Sequence, residues 1–186
     1  MPTMTKLGWK RWLYDYGIEK IERAYEAARA ALDSEANSLS AEFDEVKDQP
    51  NVDQGYLDHL SDRSTINEDS LTLIMQSFTL AIHHFWEREA KAWAGQTRYQ
   101  FKQAYKAIST KGYALEKTGI EKLRKTANTI KHNSDELYTQ HKSMFEQQVA
   151  RDIKEGTSPD YQDGLILKDE DIREFFDAVK KSGPPQ

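Results

Sequence analysis

A long run of evenly spaced apolar residues near the start of the chain limits the fold more than any other feature. Between residues 18 and 49, apolar side chains recur at spacings of three, four or seven positions, and charged residues fill most other positions. The apolar set is Ile18, Ile21, Tyr25, Ala28, Leu32, Leu39, Phe43 and Val46. This spacing is typical of one face of an α-helix. Pro50 ends the predicted helix, because proline restricts the residue before it to extended conformations.

The rest of the chain also favours helices. Only nine Gly and five Pro occur among 186 residues, and 20 aromatic residues (seven Phe, nine Tyr, four Trp) supply side chains for a core. We predict an all-α fold, a helical bundle of about five main helices with one core, formed by residues 18–181. Residues 1–17 are predicted to be a separate aromatic segment that ends at Gly17 and docks on the core. Residues 182–186 are predicted to be a frayed tail.

Each further helix is predicted from its apolar pattern and its chain breakers. Residues 51–69 are polar and rich in turn formers, so we interpret them as a connection. Residues 70–93 are apolar nearly all round and are predicted to be the most buried helix, closed by Gly95. Further helices are predicted at 98–109, at 119–132, from Ser134 through Phe145, and from Asp169 onward. Residues 152–163 are predicted to be a loop, and residues 165–167 a short extended segment.

The composition excludes several classes of site. The chain has no Cys, so it forms neither disulfides nor thiolate metal sites. It contains no apolar run of about 18 residues, the minimum for a membrane-spanning helix, and its first residues do not resemble a signal peptide. We therefore expect a soluble protein of the cytoplasm, with no membrane partner.

Positive charge is concentrated in one segment of an acidic chain. Residues 91–132 contain ten Lys or Arg but only Glu116 and Glu121, which gives this segment a net charge of +8 and leaves the rest at −13. One interpretation is a face that binds a polyanion such as RNA. The other, which we favour slightly on charge alone, is that the segment pairs with acidic helices of the same chain or of a second subunit.

The end of the helix at 119–132 carries the most specific chemical pattern. Arg124, Asn128 and His132 are spaced i, i+4 and i+8, so they share one face, with Lys131 beside them. RNA cleavage without a metal needs a group that moves the 2′-hydroxyl proton and a cation that holds the phosphate. His132 suits the first role and Arg124 or Lys131 the second, with Asn128 orienting the phosphate. Alternatively, His132 is a solvent-facing residue at a helix C-terminus and Asn128 bridges to a neighbouring helix.

This segment resembles the end of a main helix in HEPN proteins, an all-helical nucleotide-binding superfamily. The resemblance lies in residues 123–133, above all in Asn128-Thr129-Ile130-Lys131-His132, and in the residues 83–89 of the preceding long helix. It extends over about residues 70–146. It implies an HEPN-like bundle, metal-independent RNA cleavage at a homodimer cleft, and a bacterial defence or toxin–antitoxin setting. The position of the family's catalytic Arg is Ala127 here, which marks a divergent branch.

The sequence therefore leaves three functional hypotheses open. The first is a metal-independent ribonuclease with His132, Asn128, Arg124 and Lys131 as catalytic residues. The second is a catalytically silent module that binds RNA or a protein partner, as an antitoxin, regulator or complex subunit. The third is a helical scaffold without a ligand. For RNA binding we add Lys117, Lys122 and Lys125, and for support of the motif helix Glu87.

No metal or cofactor is expected from the sequence. His83 and Glu87 are four residues apart and form a pair that can ligate a metal. The adjacent His84 is expected to point in another direction, so a structural pair is the favoured interpretation. His59 and His141 are expected to be isolated surface residues.

Overall fold

Six α-helices make up the described part of the chain, confirming the predicted all-α class. The computed structural model describes the backbone of residues 6–185 and the side chains of residues 8–185. The helices are α1 (Lys6–Val46), α2 (Gln54–Ala94), α3 (Phe101–Thr110), α4 (Lys117–His132), α5 (Gln147–Glu155) and α6 (Asp169–Lys181). No helix within residues 6–185 has an apolar stretch long enough to cross a membrane.

The first two helices form one long antiparallel hairpin. Each contains 41 residues and is therefore about 60 Å long. The predicted break at Gly17 is wrong, since α1 continues through it and the described part of the aromatic segment forms its first turns. A Cβ atom at Gly17 would lie 2.6 Å from Cε2 of Phe85. Gly17 therefore allows α1 and α2 to approach closely, and this packing outweighs its low helix propensity.

The predicted connection at residues 51–69 is also wrong, because α2 already begins at Gln54. The Asp53 carboxylate accepts a hydrogen bond from the Gly55 backbone N–H at 2.9 Å and caps the helix. Farther along α2, Arg63 pairs with Glu35 at 3.2 Å and the Asn67 amide donates to the Leu32 carbonyl at 3.2 Å. These polar residues form a helix because α1 lies alongside them, which periodicity within the segment alone does not reveal.

The core surrounds the second half of α2, which touches α1, α3, α4 and α6. This part of α2 is the central helix that the sequence predicts at residues 70–93. Its fully or nearly fully buried side chains meet the buried faces of α4 and α6. The largest are Trp86 and Ile82 of α2, Ile120 and Leu123 of α4, and Ile172, Phe175 and Phe176 of α6. This core fixes α4, the motif helix, against α2.

The chain between α4 and α6 differs most from the sequence-based prediction. The helix expected from Ser134 is absent, and residues 135–140 form turns followed by a single 3₁₀ turn at Lys142–Met144. The sequence analysis missed α5, whose only buried residue is Val149, so its apolar pattern is short. The extended segment at 165–167 is confirmed in part, since Leu165 forms an isolated antiparallel bridge with Phe145.

The predicted fraying of the tail after α6 is wrong as far as Pro184, because this part of the tail packs against the rest of the protein. Gln186 lies outside the described residues. Ser182, Gly183 and Pro184 are buried. Gly183 has a φ of 115°, which favours glycine, and exchanges two backbone hydrogen bonds with Ala114. Arg11 of α1 donates to the carbonyl oxygens of Ser182 and Pro184 in this tail, and to that of Lys180 at the end of α6 at 2.7 Å. The tail thus joins α1 to the loop before α4.

Candidate nucleic-acid interface

Two caps and one apolar face set the position of α4. The Glu116 carboxylate accepts a hydrogen bond from the Gly119 N–H at 2.7 Å, and Asn133 ends the helix in the left-handed conformation with φ 52°. The predicted C-cap at Asn133 is thereby confirmed. The predicted apolar face is confirmed as well, and its members are buried: Ile120, Leu123, Ala127 and Ile130. The other faces of α4 are left for polar contacts.

Ala127 belongs to the core and not to a site. Its side chain is fully buried, on the same helix face as Leu123 and Ile130. An Arg at this position would place a guanidinium among buried apolar side chains, which is costly without a partner. The residue type at 127 therefore fits the packing of this chain.

Arg124 is held by two neighbours on different sides. Its guanidinium lies 2.8 Å from Oε2 of Glu136, and its Cζ atom lies 5.0 Å from the centre of the Phe101 ring. Phe101 begins α3, and Glu136 lies in the turns after α4. These contacts keep Arg124 at the boundary between α3 and α4.

A groove of about 420 Å³ opens between these two helices. We call it the α3–α4 groove, and its lining residues are Phe101, Lys102 and Tyr105 from α3 and Lys117, Glu121, Arg124 and Lys125 from α4. Four cations thus face one carboxylate. The rings of Phe101 and Tyr105 are 4.6 Å apart between centroids. The groove combines donors for phosphate oxygens with aromatic faces that can stack on bases.

The cations of the groove differ in how strongly neighbouring groups hold their side chains. Lys102 is exposed, and no carboxylate oxygen of the described residues lies within 4.0 Å of its amine. Lys125 donates to the amide oxygen of Gln140. Lys117 lies 4.0 Å from Glu121, the limit of an ion pair. Apart from Arg124, these side chains are free to turn toward an anion at little cost.

Lys122 is the one predicted RNA-binding residue that the structure places away from the groove. Its amine lies 2.9 Å from Oδ1 of Asp171 and 2.6 Å from Oε2 of Glu174, both on α6. Burial alone would lower the pKa of Lys122, but hydrogen bonds with Glu174 and Asp171 outweigh burial and raise it. This contact supports the alternative of internal pairing, although only for part of the basic segment.

The side chains of the proposed catalytic residues are not joined to one another by polar contacts. His132 is exposed in the last turn of α4, whereas Asn128 and Lys131 are partly buried. Within the described part of the chain, no side-chain hydrogen bond or ion pair joins His132 to Asn128, Lys131 or Arg124. The structure therefore brings Arg124, Lys117 and Lys125 together, while the catalytic assignment of His132 and Asn128 stays a prediction.

One turn of α2, the helix against which α4 packs, contains a cluster of three residues. We call it the His83 cluster, and its members are His83, His84 and Glu87. Nδ1 of His83 is 3.6 Å from Oε2 of Glu87, and the two imidazole centroids are 6.0 Å apart. His83 is buried and His84 exposed, as expected for adjacent positions, but one ligand atom from each of the three residues lies within 4.8 Å of the others, closer than the sequence analysis expects. Adjacent helix positions diverge by about 100°, but long side chains can still converge above the helix surface.

The pKa of His83 falls to about 3, well below its ordinary value. Burial is the main cause, and the charges of Lys131, His84 and Arg124 add to it. His83 is therefore neutral at physiological pH. Glu87 approaches His83, while Arg124 pairs with Glu136, so the predicted support of the motif helix by Glu87 stays a prediction.

The other two histidines differ from each other. His59 is exposed, as predicted. His141 is partly buried, and burial lowers its pKa, with the nearby charges of Lys122 and Lys125 contributing in the same direction. Neither residue belongs to the His83 cluster or lines the α3–α4 groove.

Sequence reasoning missed the contribution of α3 to the groove. The pattern that predicts it is the pairing of two i, i+4 sets on one short helix, Phe101 with Tyr105 and Lys102 with Lys106. Such a helix next to the motif helix presents aromatic and basic side chains together.

No family model, no curated protein and no solved structure matches this chain. The HEPN resemblance consequently rests on the residues named in the sequence analysis.

Proposed function

We propose that this protein binds RNA through the α3–α4 groove. The observation that carries the proposal is the convergence of Lys102, Lys117, Arg124 and Lys125 around the rings of Phe101 and Tyr105. Phosphate oxygens attract the cations, and unpaired bases stack on aromatic rings. At about 420 Å³ the groove has the volume of a small-ligand site, which suits one nucleotide unit of a longer strand.

Single-stranded RNA fits this groove better than a duplex. The aromatic rings are useful only to a base whose face is accessible, and the bases of a duplex are stacked on one another. The ring of Phe101 is also in contact with the Arg124 guanidinium, so a base on Phe101 would be close to a phosphate donor. Base stacking and phosphate binding are thus available within one groove.

Metal-independent cleavage by His132 is the second candidate function, and the HEPN resemblance motivates it. The observation in its favour is the exposure of His132 at the end of α4, the helix that forms one wall of the groove. Asn128 and Lys131 would position the phosphate. Burial of Ala127 and the engagement of Arg124 by Glu136 favour binding without cleavage. A homodimer and a defence or toxin–antitoxin setting belong to this proposal through the resemblance alone.

Fluorescence anisotropy with a labelled single-stranded oligoribonucleotide, in EDTA, tests the proposal. Removing two groove cations, K102A/K125A, should weaken binding at least about tenfold at low salt and reduce the log–log salt slope by about 1.4, the value for two phosphate contacts to a single strand. The matched control is R151A/K154A, which removes two exposed cations from α5. Equal affinities for the two double variants would contradict the groove as the binding site.

The same samples separate binding from cleavage. RNA that the wild-type protein shortens in EDTA, and that H132A leaves intact, would assign the cleavage to His132. RNA that is bound but recovered at full length from both proteins would support the binding module and reject the nuclease. Since H132A keeps every groove residue, its RNA affinity should equal that of the wild-type protein in either case.

A further inference from the structure

The His83 cluster has the spacing of a chelating site within one helix. His83 and Glu87 are separated by four positions and His84 and Glu87 by three, and both spacings place side chains on neighbouring parts of a helix surface. The cluster lies outside the α3–α4 groove, and none of its members lines it. RNA binding through that groove does not use these three residues.

The distances within the cluster are near those that a small divalent ion requires. Zinc–nitrogen and zinc–oxygen bonds of about 2.0–2.2 Å in a tetrahedron separate the ligand atoms by about 3.3 Å. Nδ1 of His83 and Oε2 of Glu87 are already 3.6 Å apart. The largest separation among the three ligand atoms is at most 4.8 Å, and His84 is exposed and Glu87 only partly buried, so both can close the remaining gap. We propose that His83, His84 and Glu87 bind a divalent transition-metal ion of the Zn²⁺ class.

An unpaired buried atom supports the site independently of the spacing. The His83 side chain is only 3% exposed, and its Nδ1 atom is buried without a hydrogen-bond partner among the described residues. The 3.6 Å to Glu87 is too long for a hydrogen bond. Buried polar atoms in native proteins nearly always have a partner. A metal ion between Nδ1 and the carboxylate would satisfy both groups.

The donor set selects the metal. Two imidazole nitrogens and one carboxylate oxygen form the three-ligand arrangement that zinc occupies with one open position. Magnesium and calcium prefer oxygen ligands only, so they should compete weakly. With one open position, the bound ion would also be accessible to a water molecule or an anion.

Two cations near the His83 cluster should weaken the binding of a positive metal ion by charge repulsion. Lys131 and Arg124 are close enough to influence the charge state of His83. Glu136 offsets the charge of Arg124, whereas the charge of Lys131 has no carboxylate partner within 4.0 Å in residues 8–185. Removing the Lys131 charge should therefore tighten metal binding, an effect that a purely structural His83–Glu87 pair would not produce.

Isothermal titration of tag-free, EDTA-treated protein with Zn²⁺, without RNA, tests the site. The wild-type protein should bind one ion, and Co²⁺ at the same site should develop visible d–d absorption. H84A and E87Q should each weaken Zn²⁺ binding at least about tenfold, and K131Q should tighten it several-fold. These substitutions leave in place His83, which is buried in the core, and circular dichroism checks that each variant is helical.

The control is H59A, an exposed histidine on the same helix, whose removal should leave the affinity unchanged. Absence of one-site binding to the wild-type protein would overturn the proposal. Binding that persists unchanged in H84A and E87Q would overturn it too, because the ion would then lie elsewhere. The result does not depend on RNA binding, so this site and the α3–α4 groove fail or succeed separately.

Discussion

The two halves of the α1–α2 hairpin have the same secondary structure but very different surroundings. In the half that includes residues 8–29 and 71–94, the other helices cover the hairpin, and large side chains such as Tyr14, Ile18 and Trp86 are buried. The other half, residues 30–70, projects beyond them, and we call it the distal arm. Its buried residues are only Leu39, Leu60 and Asn67. Helix continuity across both halves thus conceals a large difference in local packing.

This difference teaches where stability and function are located. Burial of apolar surface supplies most of the stability of a helix in a protein, while helix propensity supplies little. The covered half positions α4, the α3–α4 groove and the His83 cluster. The distal arm depends on a narrow seam and on exposed ion pairs such as Arg63 with Glu35, each of which contributes little. We therefore expect the arm to open locally while the bundle remains folded.

The largest expected effect is in the bundle. Phe175 of α6 is fully buried, so F175A should lower the free energy of unfolding by about 3–5 kcal/mol, through lost transfer free energy and the cavity left behind. Urea denaturation followed by circular dichroism measures the change. The control L73A removes a large side chain that is 64% exposed on α2 and should cost under about 0.5 kcal/mol. Similar losses of unfolding free energy in F175A and L73A would contradict the conclusion that burial in the bundle is the main source of stability.

A buried leucine of the distal arm should have a smaller and more local effect. L60A removes one of the few buried side chains of the arm and should cost about 2–3 kcal/mol of local stability. In hydrogen–deuterium exchange, peptides within residues 34–66 should lose protection while those of α4 keep theirs. Equal loss of protection in α4 would mean that the arm and the bundle unfold as one unit.

The comparison also explains which elements the sequence predicts. The apolar faces of α4 and of residues 70–93 repeat over several turns, so periodicity predicts both helices and their burial. The first four turns of α2 are polar because only α1 covers them. For this reason the sequence pattern predicts a connection there and not a helix. In α5, Val149 is the single buried residue, and one residue defines no period. A helix that is stabilised mainly by a partner distant in the sequence has little apolar periodicity of its own, so its sequence does not predict it.

The site follows the same rule. Arg124, Lys117 and Lys125 could be nominated from the sequence because they share the basic helix α4. Their neighbour Lys102 belongs to the same basic segment, but its place in the groove depends on the packing of α3 beside α4, which becomes visible only in the fold. Likewise, the two partners of Lys122 on α6 are 49 and 52 positions away in the chain, so the internal pairing of this cation cannot be predicted until the fold is known.

Within the covered half, Gly17 tests how closely the two long helices approach. A Cβ atom there would clash with the Phe85 ring, so G17A should destabilise the protein by about 1–2 kcal/mol, even though Ala is the better helix former by about 1 kcal/mol. Thermal or urea unfolding measures this net cost. Adding the methyl group to an F85L background, G17A/F85L compared with F85L, should cost less than adding it to the wild-type protein. A stabilising G17A would mean that helix propensity outweighs packing at this position.

Asp169 of α6 binds the last residues of the covered half of α1, next to the distal arm, and its substitution should have the smallest effect. At the start of α6 its carboxylate accepts hydrogen bonds from Tyr25 at 2.8 Å and Arg173 at 2.7 Å, and it pairs with Arg29 at 2.5 Å. Burial alone would raise the pKa of this carboxyl, but the hydrogen bonds from Arg173 and Tyr25, together with the charge of Arg29, outweigh burial and lower it.

A lowered pKa in the folded state fixes the sign of the pH dependence. The ionised carboxylate contributes stability above its unfolded pKa of 3.8, and this contribution is lost as pH falls through the lower folded pKa. D169N should therefore cost about 1 kcal/mol at pH 7, and the difference from the wild-type protein should shrink below about pH 4. The control D163N removes a carboxylate that has no ion pair among the described residues. A cost of D169N that stays constant from pH 7 to pH 3 would show that packing, and not charge, accounts for the contribution of Asp169 to stability.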